Sequence, residues 1–284
     1  MGSVPPLPTN SDHAGTVSVT PGAAWSETVA FSSQLVVVAV TFYPSTETPQ
    51  YKLAAETASR ARTLGIPLVF VDGSPSDDVR RGLMAAGARV VHETKRVAQR
   101  GKGVALRQAI SEGLLELVRH GCASGIVAFQ EAEKGNLLAD YAALVAPIAL
   151  GEADIVVPMR TREAWLSLPV EQMHSESFGN LHVANLLRER SLCSDCLDWF
   201  FGPICFSHHM AVHWLAYDGP QWDAQIVPAL RALASGARVV GVAARGYLHP
   251  PVQKELEQGK LAWSSKRLLQ LRLVVDKIQD EMAR

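Results

Sequence analysis

Ile126-Val127-Ala128-Phe129-Gln130-Glu131-Ala132-Glu133-Lys134 decides how this chain is read. Four largely apolar residues predict a buried strand, which runs straight into two carboxylates at spacing i, i+2 and then a lysine. Short apolar runs of this kind are typical of buried parallel strands, and open α/β sheets bind ligands beyond the carboxyl ends of their strands. Two acidic side chains at such an end can share a hard divalent cation that keeps room for substrate phosphates. The same residue types also suit a solvated turn, so the segment alone leaves both readings open.

Working outward, the pattern around this segment repeats strand, helix, strand. Upstream, Leu35–Val40 is a first apolar strand ending at Thr41-Phe42-Tyr43-Pro44. A helical stretch over Tyr51–Leu64 follows, closed by Gly65. Leu68–Val71 is a second strand, Asp77–Ala86 a second helix stopped by Gly87, and Arg89–Val91 a third strand. Gly101–His120 reads as a long amphipathic helix. Downstream come a helix over Leu137–Leu150, a strand at Asp154–Pro158, helices over Val170–Arg190 and Asp223–Leu233, and a strand at Arg238–Val242. Asp198–Phe206 is too aromatic for an open loop and is expected to pack on the sheet. The fold class that follows is α/β, a mostly parallel sheet flanked by helices, as a single domain over 31–253 whose second half is more helical. Residues 1–30, rich in Pro, Ser, Thr and Gly, are expected to be a flexible tail. Residues 254–284 read as one charged amphipathic helix that packs on the body or on a partner subunit of a homodimer.

Composition narrows the function classes. An apolar fraction of 48% and a charged fraction of 19% suit a globular domain with a sizeable core. A net charge of −1 gives no basic field for nucleic acid or anionic membrane. No apolar run reaches the ~20 residues of a membrane span, and the N-terminus lacks the order of a secretory signal. A cytoplasmic location is the expectation. Cys193, Cys196 and Cys205 with His208 could in principle surround a zinc ion, but the spacing is short and the intervening Trp199-Phe200-Phe201 reads as core, so buried or idle thiols are the expectation. His208, His209 and His213 are expected in the core or at an interface.

Four further constellations carry possible chemistry. Val71-Asp72-Gly73-Ser74 ends a strand in an acidic turn that could hold a nucleotide or merely cap the next helix. Gly101-Lys102-Gly103 opens a long helix, where backbone N–H groups and the helix dipole can meet a phosphate; a basic helix entry without a ligand fits too. Gln172, Glu176 and Asn180 recur every four residues along one helical face. If that face lines a cleft, it can read sugar or acceptor hydroxyls. His249 directly follows a strand, where imidazole can serve as a metal ligand or a structural group.

Together these residues resemble the GT-A nucleotide-sugar glycosyltransferases over roughly residues 34 to 255. The likeness is greatest to the retaining branch around glucosyl-3-phosphoglycerate synthase and mannosylglycerate synthase. The resemblance implies a glycosyltransferase that moves a sugar from a nucleoside-diphosphate sugar to a small soluble acceptor with Mg²⁺ or Mn²⁺. It places Asp72, Tyr43 and Ser74 at the nucleotide, and Lys102, Arg107 and Lys134 near the diphosphate. Glu131, Glu133 and His249 become the metal ligands. Gln172, Asn180 and Trp222 fall on the acceptor side, with Glu176, Asp198 and Asp223 as the carboxylates nearest the chemistry. The sequence departs from the family by carrying Glu-Ala-Glu where Asp-x-Asp is usual, with Lys134 beside it as a possible partial substitute for the cation. Alternatives are another pyrophosphate-releasing reaction on the same fold, such as nucleotidyl transfer or ionisation of an apolar diphosphate, or a non-catalytic module.

Overall fold

A computed structural model describes residues 34–94, 101–122, 124–192 and 195–283. The expected tail over 1–30, together with Gln99, Arg100 and Cys193, lies outside the described residues. The first half follows the alternating pattern: β1 (Leu35–Thr41), α1 (Pro49–Leu64), β2 (Leu68–Asp72), α2 (Asp77–Ala86), β3 (Arg89–His92), α3 (Lys102–Arg119) and β4 (Ile126–Phe129). Local signals fix the helix ends. The Thr48 hydroxyl accepts from the Tyr51 N–H ahead of Pro49, and Gly65 leaves α1 in the left-handed conformation. Ser76 caps α2 in the same way, with Asp77 and Asp78 favouring its positive end.

A 3₁₀ turn (Gly135–Asp140) runs into α4 (Tyr141–Ala149), where the sequence predicts one helix. Next come β5 (Ile155–Arg160), α5 (Arg162–Ser167), α6 (Val170–Glu189), a 3₁₀ turn at Trp199–Phe201, β6 (Ile204–Ser207), α7 (Ala211–Leu215), α8 (Asp223–Ala234) and β7 (Val239–Ala244). Residues 254–284 do not form one helix. α9 (Pro251–Glu257) and α10 (Leu261–Met282) are separated by a break at Gln258-Gly259-Lys260. α10 packs on α6 and α8, burying Val274, Ile278 and Met282 against the body.

The seven strands stand in the order β3-β2-β1-β4-β6-β5-β7. All neighbours are parallel except β6, which runs antiparallel between β4 and β5. β6 is the strand the sequence reading lacks: the end of the stretch expected on top of the sheet, from Ile204, enters it instead. Side-chain alternation splits the sheet into two buried faces. Val36, Val38, Val127 and Phe129 meet α3, α6 and α8, whereas Val37, Ala39, Ile126 and Ala128 meet α1, α2 and α4.

Gly113 lets α3 lie close on the first face, because a Cβ there would stand 2.6 Å from Val38 Cγ1. Overpacking costs about 1–3 kcal/mol, more than the gain in helix propensity of up to about 1 kcal/mol. Gly113→Ala is therefore expected to lower the urea midpoint. An unchanged or raised midpoint would show that α3 shifts away without loss.

Candidate functional site

The chain passes from β1 to β2 and β3 on one side, then returns to place β4 on the other side of β1. That reversal leaves a crevice beyond the carboxyl ends of β1 and β4, the usual ligand position in open α/β sheets. A cavity of about 260 Å³ opens there. Its lining includes Lys102 at the start of α3, Glu131, Glu133 and Lys134 after β4, and His249 after β7. Gln172 and Glu176 of α6 and Trp222 before α8 contribute the opposite wall, and Trp263, Lys266 and Arg267 of α10 complete it. The structure thus gathers into one cavity residues that are far apart in sequence.

Glu131 sits between two ammonium groups, 3.3 Å from Lys102 Nζ and 3.0 Å from Lys134 Nζ, and accepts from Gln225 Nε2 at 3.3 Å. Burial alone would raise its carboxyl pKa, but Lys134 and Lys102 outweigh it and hold the group well below the usual carboxylate range. Burial pushes the Lys134 ammonium pKa down against the pull of Glu131. Lys134 also donates to the Phe201 carbonyl and lies 4.4 Å from the Phe201 ring centre. The close seat of Glu131 depends on Gly202 (φ +101°), where a Cβ would fall 2.5 Å from Glu131 Oε1. Glu133 differs: its Oε1 accepts the Tyr43 hydroxyl at 2.7 Å, and burial raises its pKa. That bond ties the end of β1 to the segment after β4.

A hard cation needs donors whose lone pairs are not already used. His249 Nε2 is buried with no hydrogen-bond partner among the described residues, 3.6 Å from Glu257 Oε2. Glu133 accepts only a hydroxyl group. Glu133 and His249 are the two expected ligands that line the cavity with donor capacity left, and they would hold a metal there. Glu131 does not fit, because both its oxygens face ammonium groups. No three His, Cys, Asp or Glu side chains among the described residues form a metal-holding group. The expected triad of Glu131, Glu133 and His249 thereby reduces to two candidates.

Several residues expected at the nucleotide are structural. Asp72 is wholly buried. Its Oδ1 accepts the Thr41 and Ser74 hydroxyls at 2.8 and 2.6 Å, and its Oδ2 faces Arg80 at 3.4 Å. Ser74 Oγ in turn accepts the Tyr43 backbone N–H. The network sets the turns after β1 and β2 and presents no Asp72 carboxylate oxygen to a ligand. Arg107 donates to the Tyr217 and Gly219 carbonyls at 2.7 and 3.0 Å, holding the loop before α8 instead of a diphosphate. The glycines around Lys102 serve that loop as well. The Gly103 N–H donates to the Pro220 carbonyl, and a Cβ at Gly103 would come 2.2 Å from the Gly219 oxygen. Close backbone packing by itself requires glycine at both positions.

The polar face of α6 turns inward onto a residue that the sequence reading passed over, Arg160 at the end of β5. Its guanidinium binds Asp198 through two hydrogen bonds of 2.7 Å and also donates to Glu176. It stacks on Trp165 at 3.8 Å from the ring centre. Asn180 donates to Asp198 at 2.8 Å, Gln172 to Glu176 at 2.8 Å, and Arg267 to Glu176 at 3.0 Å. Burial disfavours the charge of Arg160, but Asp198 and Glu176 outweigh it and raise its pKa. Asp198 and Asn180 are therefore parts of a buried scaffold. Asp223 is also buried, accepting the Tyr217 hydroxyl and the Gln221 N–H. The signal for Arg160 was a cation ending an apolar strand.

The cysteines form no zinc site among the described residues. Cys205 is buried within β6, where burial pushes its thiol pKa up, and Cys196 is exposed. His209 is exposed and His208 and His213 half-buried, so these histidines lie at the surface and not in the core. No helix among the described residues is long and apolar enough to cross a membrane.

No protein-family model and no curated protein matches the chain. Solved structures do. Glucosyl-3-phosphoglycerate synthase from Mycobacterium tuberculosis, in complex with Mn²⁺, UDP-glucose and phosphoglyceric acid, superposes with a TM-score of 0.63 at 16% identity, covering 93% of this chain and 86% of that one. The chain has the GT-A fold. A second structure, described only as a mycobacterial protein, gives a TM-score of 0.64 at 17% identity over 93% of this chain and 80% of its own. The M. tuberculosis synthase with UDP alone gives 0.55 at 18% identity, covering 90% of this chain and 86% of that one.

Proposed function

We propose that this protein transfers a sugar from a nucleoside-diphosphate sugar to a small acceptor, with a divalent cation at Glu133 and His249. The observation that carries this reading is the joint placement of Lys102, Lys134, Glu133 and His249 around one cavity at the strand ends of a GT-A sheet. A departing diphosphate gains negative charge, and charged groups already fixed in place stabilise it without reorganising at the moment of reaction. Lys102 and Lys134 can take that role, because a phosphate competes with Glu131 for the same ammonium groups. Bound Mg²⁺ or Mn²⁺ supplies Lewis-acid neutralisation of the diphosphate oxygens. The similar synthase structures contain Mn²⁺ or Mg²⁺ with UDP. The side-chain geometry supports a retaining course, in which the departing phosphate takes the acceptor proton. The carboxylates expected nearest the chemistry, Glu176, Asp198 and Asp223, are held by Arg160, Arg267 and Tyr217.

Thermal unfolding with UDP or GDP tests the reading. A ligand at about 100 times its Kd stabilises the native state by about 2.7 kcal/mol, and the shift is expected to grow when Mn²⁺ is added. Glu133→Ala is expected to abolish the Mn²⁺-dependent part and keep the rest. If that part survives unchanged, Glu133 does not hold the metal. A shift with inorganic pyrophosphate or a prenyl diphosphate alone would favour other diphosphate chemistry. No shift with any of them would remove the enzymatic reading.

A further inference from the structure

Beside Glu131 Oε2, Trp199 Nε1 and His249 Nε2, four buried polar atoms of cavity-lining residues lack a hydrogen-bond partner among the described residues: Gln172 Oε1, Glu257 Oε2, Trp263 Nε1 and Arg267 Nε. They belong to α6, α9 and α10, so the C-terminal helix takes part in this wall. Two of the four accept and two donate. Each such atom left unsatisfied costs about 1–3 kcal/mol, so their convergence on one cavity points to a ligand that supplies both kinds of partner.

Two of the formal charges on this wall, Arg267 and Glu257, already face partners. Arg267 Nη1 donates to Glu176 Oε1 at 3.0 Å. Glu257 Oε1 accepts the Gln253 amide at 3.1 Å, and its Oε2 faces His249 Nε2 at 3.6 Å. Lys266 is exposed and stands 4.4 Å from the Trp263 ring centre. A phosphate or carboxylate offers only acceptor oxygens. It would serve Trp263 and Arg267 but set its charge against the Glu257 carboxylate and the Gln172 carbonyl. A hydroxyl both donates and accepts at one oxygen and serves all four. The Trp222 and Phe200 rings, which also line the cavity, offer flat apolar surface for the C–H face of a sugar.

We propose that the wall formed by Gln172, Glu257, Trp263 and Arg267 is an acceptor subsite for an uncharged polyhydroxylated molecule, a sugar or polyol. Its acceptor role rests on the glycosyltransferase reading; the binding chemistry does not. The similar synthase structures hold phosphoglyceric acid, so the two chains would differ in acceptor charge.

Saturation-transfer NMR on the full chain with D-glucose, D-mannose, sucrose, glycerol and 3-phosphoglycerate, each with and without UDP and Mn²⁺, tests the assignment. At least one neutral compound is expected to bind more tightly than 3-phosphoglycerate. Trp263→Phe, which keeps a ring and removes the N–H, is expected to raise its Kd about fivefold, the loss of one hydrogen bond. Arg267→Lys is expected to weaken it as well. The proposal is overturned if 3-phosphoglycerate binds better than every neutral compound, if none of them binds, or if neither variant changes the affinity. Titrations without nucleotide separate this outcome from a failure to bind UDP.

Discussion

Arg160→Leu is expected to lower the free energy of unfolding by about 3–5 kcal/mol, measured by urea titration. The Arg160 side chain is 1% exposed, and those of Glu176 and Asp198 are 5% and 3% exposed. Removing the guanidinium leaves two buried carboxylates with one fewer cation between them. Such uncompensated charge is far costlier than the pair itself is stabilising. Asp198 would keep only the Asn180 amide and the Arg160 backbone N–H, and Glu176 would keep Gln172 and Arg267. The stack on Trp165 is lost too. Arg160→Lys retains the charge without the planar fork that binds Asp198 twice, and is expected to fall between the leucine variant and the native protein. A leucine variant with the native midpoint would show that the network does not hold α6 and the 198–201 turn to β5.

If the chain acts as the proposed transferase, Lys102→Ala is expected to reduce its kcat/KM, assayed as release of nucleoside diphosphate from a nucleotide-sugar donor such as UDP-glucose, by about 10²–10³-fold, the usual effect of losing one pre-placed stabilising group. Lys102 is a cleaner probe than Lys134. Its ammonium is partly exposed and its ion pair with Glu131 at 3.3 Å contributes about 0–1 kcal/mol to folding. Lys134 by contrast also donates to the Phe201 carbonyl and lies over the Phe201 ring, so its removal loosens the turn before β6. The unfolding midpoint of Lys102→Ala should stay close to native while turnover collapses. Native kcat/KM would remove Lys102 from the diphosphate role.

The sheet was largely readable from sequence because its strands carry their own evidence. Leu35–Thr41, Leu68–Asp72 and Ile126–Phe129 are apolar on both faces, as strands covered by helices on both sides must be. Gly65 and Gly87 mark the helix ends between them. β6 escaped because Ile204–Ser207 is only four residues long and follows Trp199-Phe200-Phe201, whose apolar character hides the boundary. The break at Gln258-Gly259-Lys260 escaped because α9 and α10 continue the same charged pattern on either side of it.

The site divides in the same way. Local sequence determined that carboxylates and a lysine follow β4, that a histidine follows β7, and that α6 carries a polar row. It could not determine which of these groups meet one another. Arg160 finds its carboxylates 16 and 38 residues away, and Glu131 takes a lysine from 29 residues upstream. Arg107 and Asp72 look free for a ligand in the sequence, yet the fold gives them carbonyls and hydroxyls first. Secondary structure follows from short-range periodicity and caps, whereas the pairing of polar groups follows from which buried charge lies nearest once the chain has closed. That choice belongs to the tertiary structure, because a desolvated charge must find a partner at a few ångströms wherever in the chain it comes from.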